Sequence, residues 1–265
     1  MTKLTLPKLK VFKQEGRKLA MLTVYDYPSA CLLDDAGIDL LLVGDSLGNV
    51  VQGKATTLSV TLDEIIYHAE MVVRAVKRAF VVVDIPFPFC QLGSTEAIRA
   101  AARILKETSA DAVKFEGGEN RASAIAALVD AGIPVLGHCG LRPQEIRQTG
   151  GYFVQREKER EQLFQDITAV EKAGAFAMVL ECIETELARE ATSLLQVPTI
   201  GIGAGPFCDG QVLVFHDLLG YKPEQTKTPK HVKQYADLQT IISNAVKNYA
   251  DDVRNAVFPD AENSF

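Results

Sequence analysis

A chain of 265 residues that is 47% hydrophobic has apolar material for one large core, and its length is ordinary for an α/β barrel. A net charge of −6 argues against nucleic acid or an anionic membrane surface as a partner, and no apolar run approaches the ~20 residues that span a bilayer. The start, Met1-Thr2-Lys3-Leu4, lacks a signal-peptide core, and the five scattered cysteines (31, 90, 139, 182, 208) show no C-x-x-C spacing, so reduced thiols in a cytoplasmic protein are expected.

In chain order, apolar segments predict eight strands, at roughly 19–25, 38–44, 80–84, 111–116, 133–138, 176–182, 197–202 and 211–216. They are short and rich in Val, Ile, Leu and Phe, the pattern of buried parallel strands. The first and the eighth carry the weakest pattern. Three begin directly after an Ala-Gly pair: Ala36-Gly37, Ala131-Gly132 and Ala173-Gly174. Glycine accepts the positive φ found just past a helix end, so each pair marks a helix stop and a tight turn into a strand. Residues 108–111 do the same without a glycine. Between strands the spacing turns helical. Thr61 and Glu64 form a capping-box pattern opening a helix over 61–78, with Leu62, Ile65, Ala69, Val72, Val73 and Val76 on its apolar face. Leu163, Phe164, Ile167 and Val170 repeat that logic. Residues 221–228, with Pro223, read as a loop. From about 230 a final helix is expected, through Val232, Tyr235, Leu238, Ile241, Ile242, Ala245, Val246 and Tyr249, and then a tail.

Eight such units in about 220 residues suit a closed (β/α)8 barrel or a doubly wound open sheet. Polar residues at the C-terminal ends of nearly all strands (Asp26, Asp45, Asp84, Glu116, His138, Glu181) favour the barrel, which gathers them around one mouth. An open sheet concentrates them at one switch point. The expectation is a single barrel domain over residues 1–265 with a C-terminal helix and tail.

Asp45, Asp84 and Glu116 end three successive strands. A lone buried carboxylate is costly, so such groups are paired or bound to a cation. Three on adjacent strands suggest one oxygen-ligand Mg²⁺ site, completed by water and a chelating substrate. The alternative is three separate carboxylates, each capping a helix or pairing with a base. Lys114 lies two residues before Glu116, so the pleat puts both on one face. It suits a substrate carboxylate or enolate, or an ion pair with a neighbouring carboxylate. His138 sits on the same rim, as a satisfied core group or as part of the site. Glu181, flanked by Leu180 and Cys182, has the apolar setting of a general base, with an ion pair as the alternative. His68, inside the helix 61–78, reads as structural, and His216 and His231 are assigned no role. Gly201-Ile202-Gly203-Ala204-Gly205 could cradle a phosphate or let backbone pass close to a ligand.

The chain resembles the 3-methyl-2-oxobutanoate (ketopantoate) hydroxymethyltransferase family. The matching stretches are TVYDYPSA (23–30), LLVGDSLGNVVQG (41–53), TLDEIIYH (61–68), VVVDIPF (81–87), AVKFEGGE (112–119), PVLGHCGLRPQ (134–144), GGYFVQ (150–155), VLEC (179–182), IGIGAGPFCDGQVLVFHD (200–217) and PKHVKQYADL (229–238). The resemblance implies a cytoplasmic (β/α)8 barrel of the phosphoenolpyruvate/pyruvate type, assembled as a homodecamer. It implies Mg²⁺, 5,10-methylenetetrahydrofolate as co-substrate, and conversion of 3-methyl-2-oxobutanoate to 2-dehydropantoate, the first committed step toward pantothenate. By position, Asp45 and Asp84 would coordinate Mg²⁺, with Glu116 near it, through water. Ser46 and Lys114 would hold the oxo acid, His138 would lie beside it, and Glu181 would accept the proton. The sequence departs from the family at Phe153-Val154-Gln155-Arg156-Glu157, where many members have Lys-Val-Gln-Gly-Arg. It departs again at Glu262-Asn263-Ser264-Phe265, where Glu-His-Ser-Phe is common. These put turnover and assembly in question rather than reaction type. Two rival readings are a Mg²⁺-dependent lyase or mutase of the isocitrate lyase/phosphoenolpyruvate mutase type, and a catalytically silent barrel. The Lys-Lys-Cys-Gly-His loop of the lyases is missing, and no expected ligand position is lost.

Overall fold

The computed structural model describes residues 2–151, 153–222 and 228–265. Tyr152 of the GGYFVQ stretch and Pro223 of the expected loop lie outside the described residues. The chain divides into two compact units, residues 1–214 and 215–265.

The first unit is a closed barrel of eight parallel strands in sequence order. They are β1 (Leu19–Thr23), β2 (Leu40–Val43), β3 (Phe80–Asp84), β4 (Ala112–Glu116), β5 (Val135–Gly140), β6 (Ala177–Glu181), β7 (Thr199–Ile202) and β8 (Gly210–Leu213). Each is expected from its apolar run, and β1 closes the ring on β8 with Leu19 opposite Gly210. The eighth strand ends at Leu213, short of residue 216; Phe215 and His216 begin a short helix in the second unit instead. Inside the barrel, Met21, Leu42, Val82, Leu136, Val179 and Ile200 belong to one buried cluster. A filled interior of branched side chains is what closes eight strands without a pore. The N-terminal helix Leu6–Gln14 adds Leu9 and Phe12 to that cluster.

The turns follow the chemistry of their residues. Gly37, Gly132 and Gly174 all take positive φ. Ser109 replaces glycine in the fourth turn and is itself left-handed, with φ 62. The helix Leu62–Ala75 opens on the expected capping box: Glu64 N–H donates to Thr61 Oγ1 (3.2 Å) and Thr61 N–H to Glu64 Oε2 (2.7 Å). It ends three residues before 78, because Asp34 takes the N–H groups of Lys77, Arg78 and Ala79 on its carboxylate. Its buried face carries Ile66 and Ala75, while Val73 and Val76 are half-buried. The helix Arg160–Lys172 buries Leu163, Ile167 and Val170 as expected.

In the second unit the final helix spans Leu238–Arg254. It starts later than residue 230 because Asp237 caps it, accepting from Thr240 N–H (3.2 Å). Val232 and Tyr235 precede it. His216 stacks on Tyr221 with ring centroids 5.4 Å apart.

Candidate active site

Parallel register sets the site. Asp84 lies opposite Lys114 across β3 and β4, Glu116 opposite His138 across β4 and β5, and Gly140 opposite Glu181 across β5 and β6. All strands point the same way, so their C-terminal ends meet on one rim. Asp45 follows β2, and its N–H donates to Asp84 Oδ2 (2.9 Å). Asp45, Asp84, Lys114, Glu116 and His138 are all buried.

Lys114 Nζ lies 2.5 Å from Asp84 Oδ1 and 3.5 Å from Glu116 Oε1, so the pleat places Lys114 and Glu116 on one face as the spacing requires. Burial opposes the charge on Lys114, but Asp84, Glu116 and Asp45 outweigh it and hold the ammonium protonated well above its usual range. Burial pushes Glu116 up as well, yet Lys114, His138 and the Gln144 N–H hold it down at about 2. Asp45 goes the other way. Burial and the negative charges of Asp84 and Glu116 push its carboxyl to about 8. Asp84 is also raised, by burial above all, although Lys114 opposes this.

His138 lies between two carboxylates, Nδ1 at 3.3 Å from Glu116 Oε1 and Nε2 at 3.2 Å from Glu181 Oε2. Burial and Lys114 lower its affinity for a proton, but the two glutamates overcome them and raise it to about 9. At neutral pH the imidazole is therefore charged, which fits both contacts. Glu181 is the more open partner, its side chain 17% exposed against 1% for His138. It stands at the more exposed edge of the cluster. Ser46 Oγ lies 2.8 Å from the hydroxyl of Tyr25, which fixes its direction at the start of a short helix, Leu47–Val50.

The seven expected residues thus come together on one rim. Asp26 does not join them: it caps the helix Tyr27–Asp35, accepting from Ser29 N–H (2.8 Å). His68 lies inside the helix Leu62–Ala75, its Nδ1 2.6 Å from the Tyr25 carbonyl. In the glycine-rich segment, a Cβ on Gly205 would meet Thr185 at 2.6 Å, so close packing accounts for that glycine. Two residues escaped the sequence reading. Gln144, 4% exposed, donates Nε2–H to Asp45 Oδ2 (3.2 Å) and to the Ile85 carbonyl (3.0 Å), and its N–H to Glu116 Oε2 (3.1 Å). Tyr25 orients Ser46. Gln144 lies in a loop, where a neutral polar residue carries no local signal, and Tyr25 lies in the predicted first strand, where an aromatic residue reads as core. The divergent segment at 153–157 is tied beside the rim, with Gln155 N–H donating to the Cys182 carbonyl (2.7 Å).

Three buried carboxylates against one lysine and one imidazole leave excess negative charge, and the raised Asp45 records it. Glu116 Oε1 is buried without a hydrogen bond. An all-oxygen donor set of this kind fits a hard divalent cation. Among the described residues no three His, Cys, Asp or Glu side chains are arranged to ligate a metal ion together.

A sequence model of the family described as ketopantoate hydroxymethyltransferase matches residues 3–261. The 3-methyl-2-oxobutanoate hydroxymethyltransferase of Trichlorobacter lovleyi is 51% identical over 264 residues, covering 99% of this chain and 98% of that protein. The enzyme of the same description from Thermoanaerobacter sp. strain X514 is 52% identical over 259 residues, covering 97% and 94%. Among solved structures, a 2,3-dimethylmalate lyase of the PEP mutase/isocitrate lyase superfamily superposes with a TM-score of 0.62 at 18% identity, covering 99% of this chain and 92% of that one. At that identity the likeness establishes the barrel fold alone.

Proposed function

The chain belongs to the ketopantoate hydroxymethyltransferase family, and on that premise we propose that its barrel mouth deprotonates C3 of a bound oxo acid, with Glu181 as the proton acceptor. The overall reaction is hydroxymethyl transfer to 3-methyl-2-oxobutanoate, giving 2-dehydropantoate. The one-carbon donor we assign is 5,10-methylenetetrahydrofolate, and the metal we assign is Mg²⁺, which Asp45 and Asp84 would hold with Glu116 nearby. Bound there, Mg²⁺ supplies Lewis-acid polarisation of the keto and carboxylate oxygens, an effect of several kcal/mol on developing enolate charge.

The chain's own residues do the rest. Ser46 Oγ and the Lys114 ammonium hold the oxo acid. Lys114, kept charged by its three carboxylate neighbours, faces the growing negative charge with no reorganisation needed. Glu181 takes the C3 proton, and the charged His138 at 3.2 Å fixes where that carboxylate sits. Glu116, beside the charges of Lys114 and His138 and accepting from Gln144 N–H, is held at about 2, too weak a base for the step. Asp45, Asp84 and Glu116 of the cluster are buried while the Glu181 side chain is 17% exposed, and that difference supports its assignment. We further propose that the chain assembles as a homodecamer in the cytoplasm, a reading supported by its family membership. Among the described residues no helix is long and apolar enough to cross a membrane.

The test is to incubate the protein with 3-methyl-2-oxobutanoate, Mg²⁺ and 5,10-methylenetetrahydrofolate and follow 2-dehydropantoate by mass spectrometry. Product formation is expected. Cleavage of a 2-alkylmalate, with 3-methyl-2-oxobutanoate left intact, would favour the lyase reading.

A further inference from the structure

Beside the acidic cluster lies a cleft of about 480 Å³, lined by the loops that follow β2 to β5. Its wall nearest the cluster is Gln144, the residue that reaches Asp45 and Glu116. The lining combines an apolar strip, Phe87 and Leu58, with two guanidinium groups, Arg121 and Arg147. Phe87 is exposed, so its ring is open to a flat ligand.

The charge of this cleft is not balanced from within. Its one acidic lining residue, Glu145, is already paired with Arg142 at 2.9 Å. Arg121 and Arg147 have no ion pair among the described residues, and Arg121 Nε is buried without a hydrogen bond. Leaving a buried guanidinium N–H unpaired is costly unless a ligand completes it. Arg121 is also held in place. Its stem packs against Gly117, where an added Cβ would come within 2.6 Å of Arg121 Cβ and Cγ. Gly117 directly follows Glu116 at the end of β4, so the catalytic strand and the arginine share one loop.

An aromatic wall with two unpaired guanidinium groups suits a ligand that carries an aryl ring and a carboxylate tail, since arginine binds carboxylates in a bidentate fork. We infer that this cleft is the donor subsite, with Arg121 and Arg147 holding the glutamate carboxylates of the reduced folate and Phe87 and Leu58 its p-aminobenzoyl ring. The inference rests on the folate donor assigned above. It places the donor's one-carbon end on the Gln144 side, toward the oxo acid.

The experiment compares the full chain with the Arg121→Gln and Arg147→Gln variants and with the double variant. Three readouts are taken: donor KM and kcat, competition by N-(4-aminobenzoyl)-L-glutamate, and C3–H exchange of 3-methyl-2-oxobutanoate in D₂O, which needs no donor. The double variant is expected to raise donor KM at least tenfold with kcat within about threefold. It should also lose inhibition by the aminobenzoyl-glutamate probe and keep exchange. An Arg121→Lys variant, which retains the charge but not the fork, should fall between. Unchanged donor KM and unchanged inhibition in a double variant that still exchanges would overturn the subsite. Absence of exchange by the unaltered protein would instead overturn the reaction reading, and the subsite with it.

Discussion

Asp45 shows how one side chain couples burial to chemistry. Its carboxyl is driven to about 8 by burial and by Asp84 and Glu116, so near neutral pH it holds a proton that a divalent cation bound as proposed would displace. Apparent Mg²⁺ affinity should therefore rise with pH up to about 8, by as much as tenfold per unit, with a proton released on binding. Calorimetric titration in buffers of different ionisation heat measures both; a pH-independent affinity would contradict the assignment. Glu181 gives the complementary prediction. Glu181→Gln should reduce C3–H exchange by ~10²–10⁴ while Mg²⁺ binding stays within about twofold. Equal loss of both would make Glu181 part of the metal environment rather than the base. At this scale the site was legible where a carboxylate or lysine closed an apolar run. Gln144 and Tyr25 were not: a neutral amide in a loop gives no hint that it will be buried against the cluster, and an aromatic residue in a predicted strand reads as core rather than as a hydroxyl partner.

The elements were legible in kind and less so in extent. Ala-Gly pairs and apolar runs located the strands, since helix stops and buried strands are written locally. Helix ends were set from elsewhere in the chain. The helix after Thr61 stops at Ala75 because Asp34, at the end of another helix, binds the next N–H groups. That carboxylate is held below its usual range: burial opposes the shift, and the N–H donors of Ala79, Lys77 and Arg78 overcome it. Asp34→Ala removes the acceptor of three backbone donors at the entry to β3. A loss of about 1–3 kcal/mol in stability is expected, read by denaturant midpoint, with KM for the oxo acid unchanged because the entry lies at the opposite end of the strand from Asp84. A change in KM without a change in stability would refute this division between the two ends of the barrel.

For the whole molecule, stability should track the protons stored at the mouth. Asp45 moves from an ordinary 3.8 to about 8, and His138 from 6.5 to about 9. Both folded values are raised, so their contributions are complete below the ordinary values and are lost as pH rises through the folded ones. Glu116, lowered to about 2, acts only in acid and does not enter this window. With a chelator present, Tm should fall between pH 6.5 and 9. Saturating Mg²⁺ should flatten the fall, because the ion replaces the proton on Asp45. A Tm that rises over that window in chelator would contradict the charge distribution described for the barrel mouth.

The central claim is that this mouth removes a proton from C3 of the oxo acid with the help of a divalent cation. Proton NMR of 3-methyl-2-oxobutanoate in D₂O, with the purified protein and with or without Mg²⁺, tests it most directly. Loss of the C3 proton signal is expected to depend on Mg²⁺ and to slow by ~10²–10⁴ in Glu181→Gln. A C3 signal that persists with Mg²⁺ present, in a protein that binds the oxo acid, would contradict it.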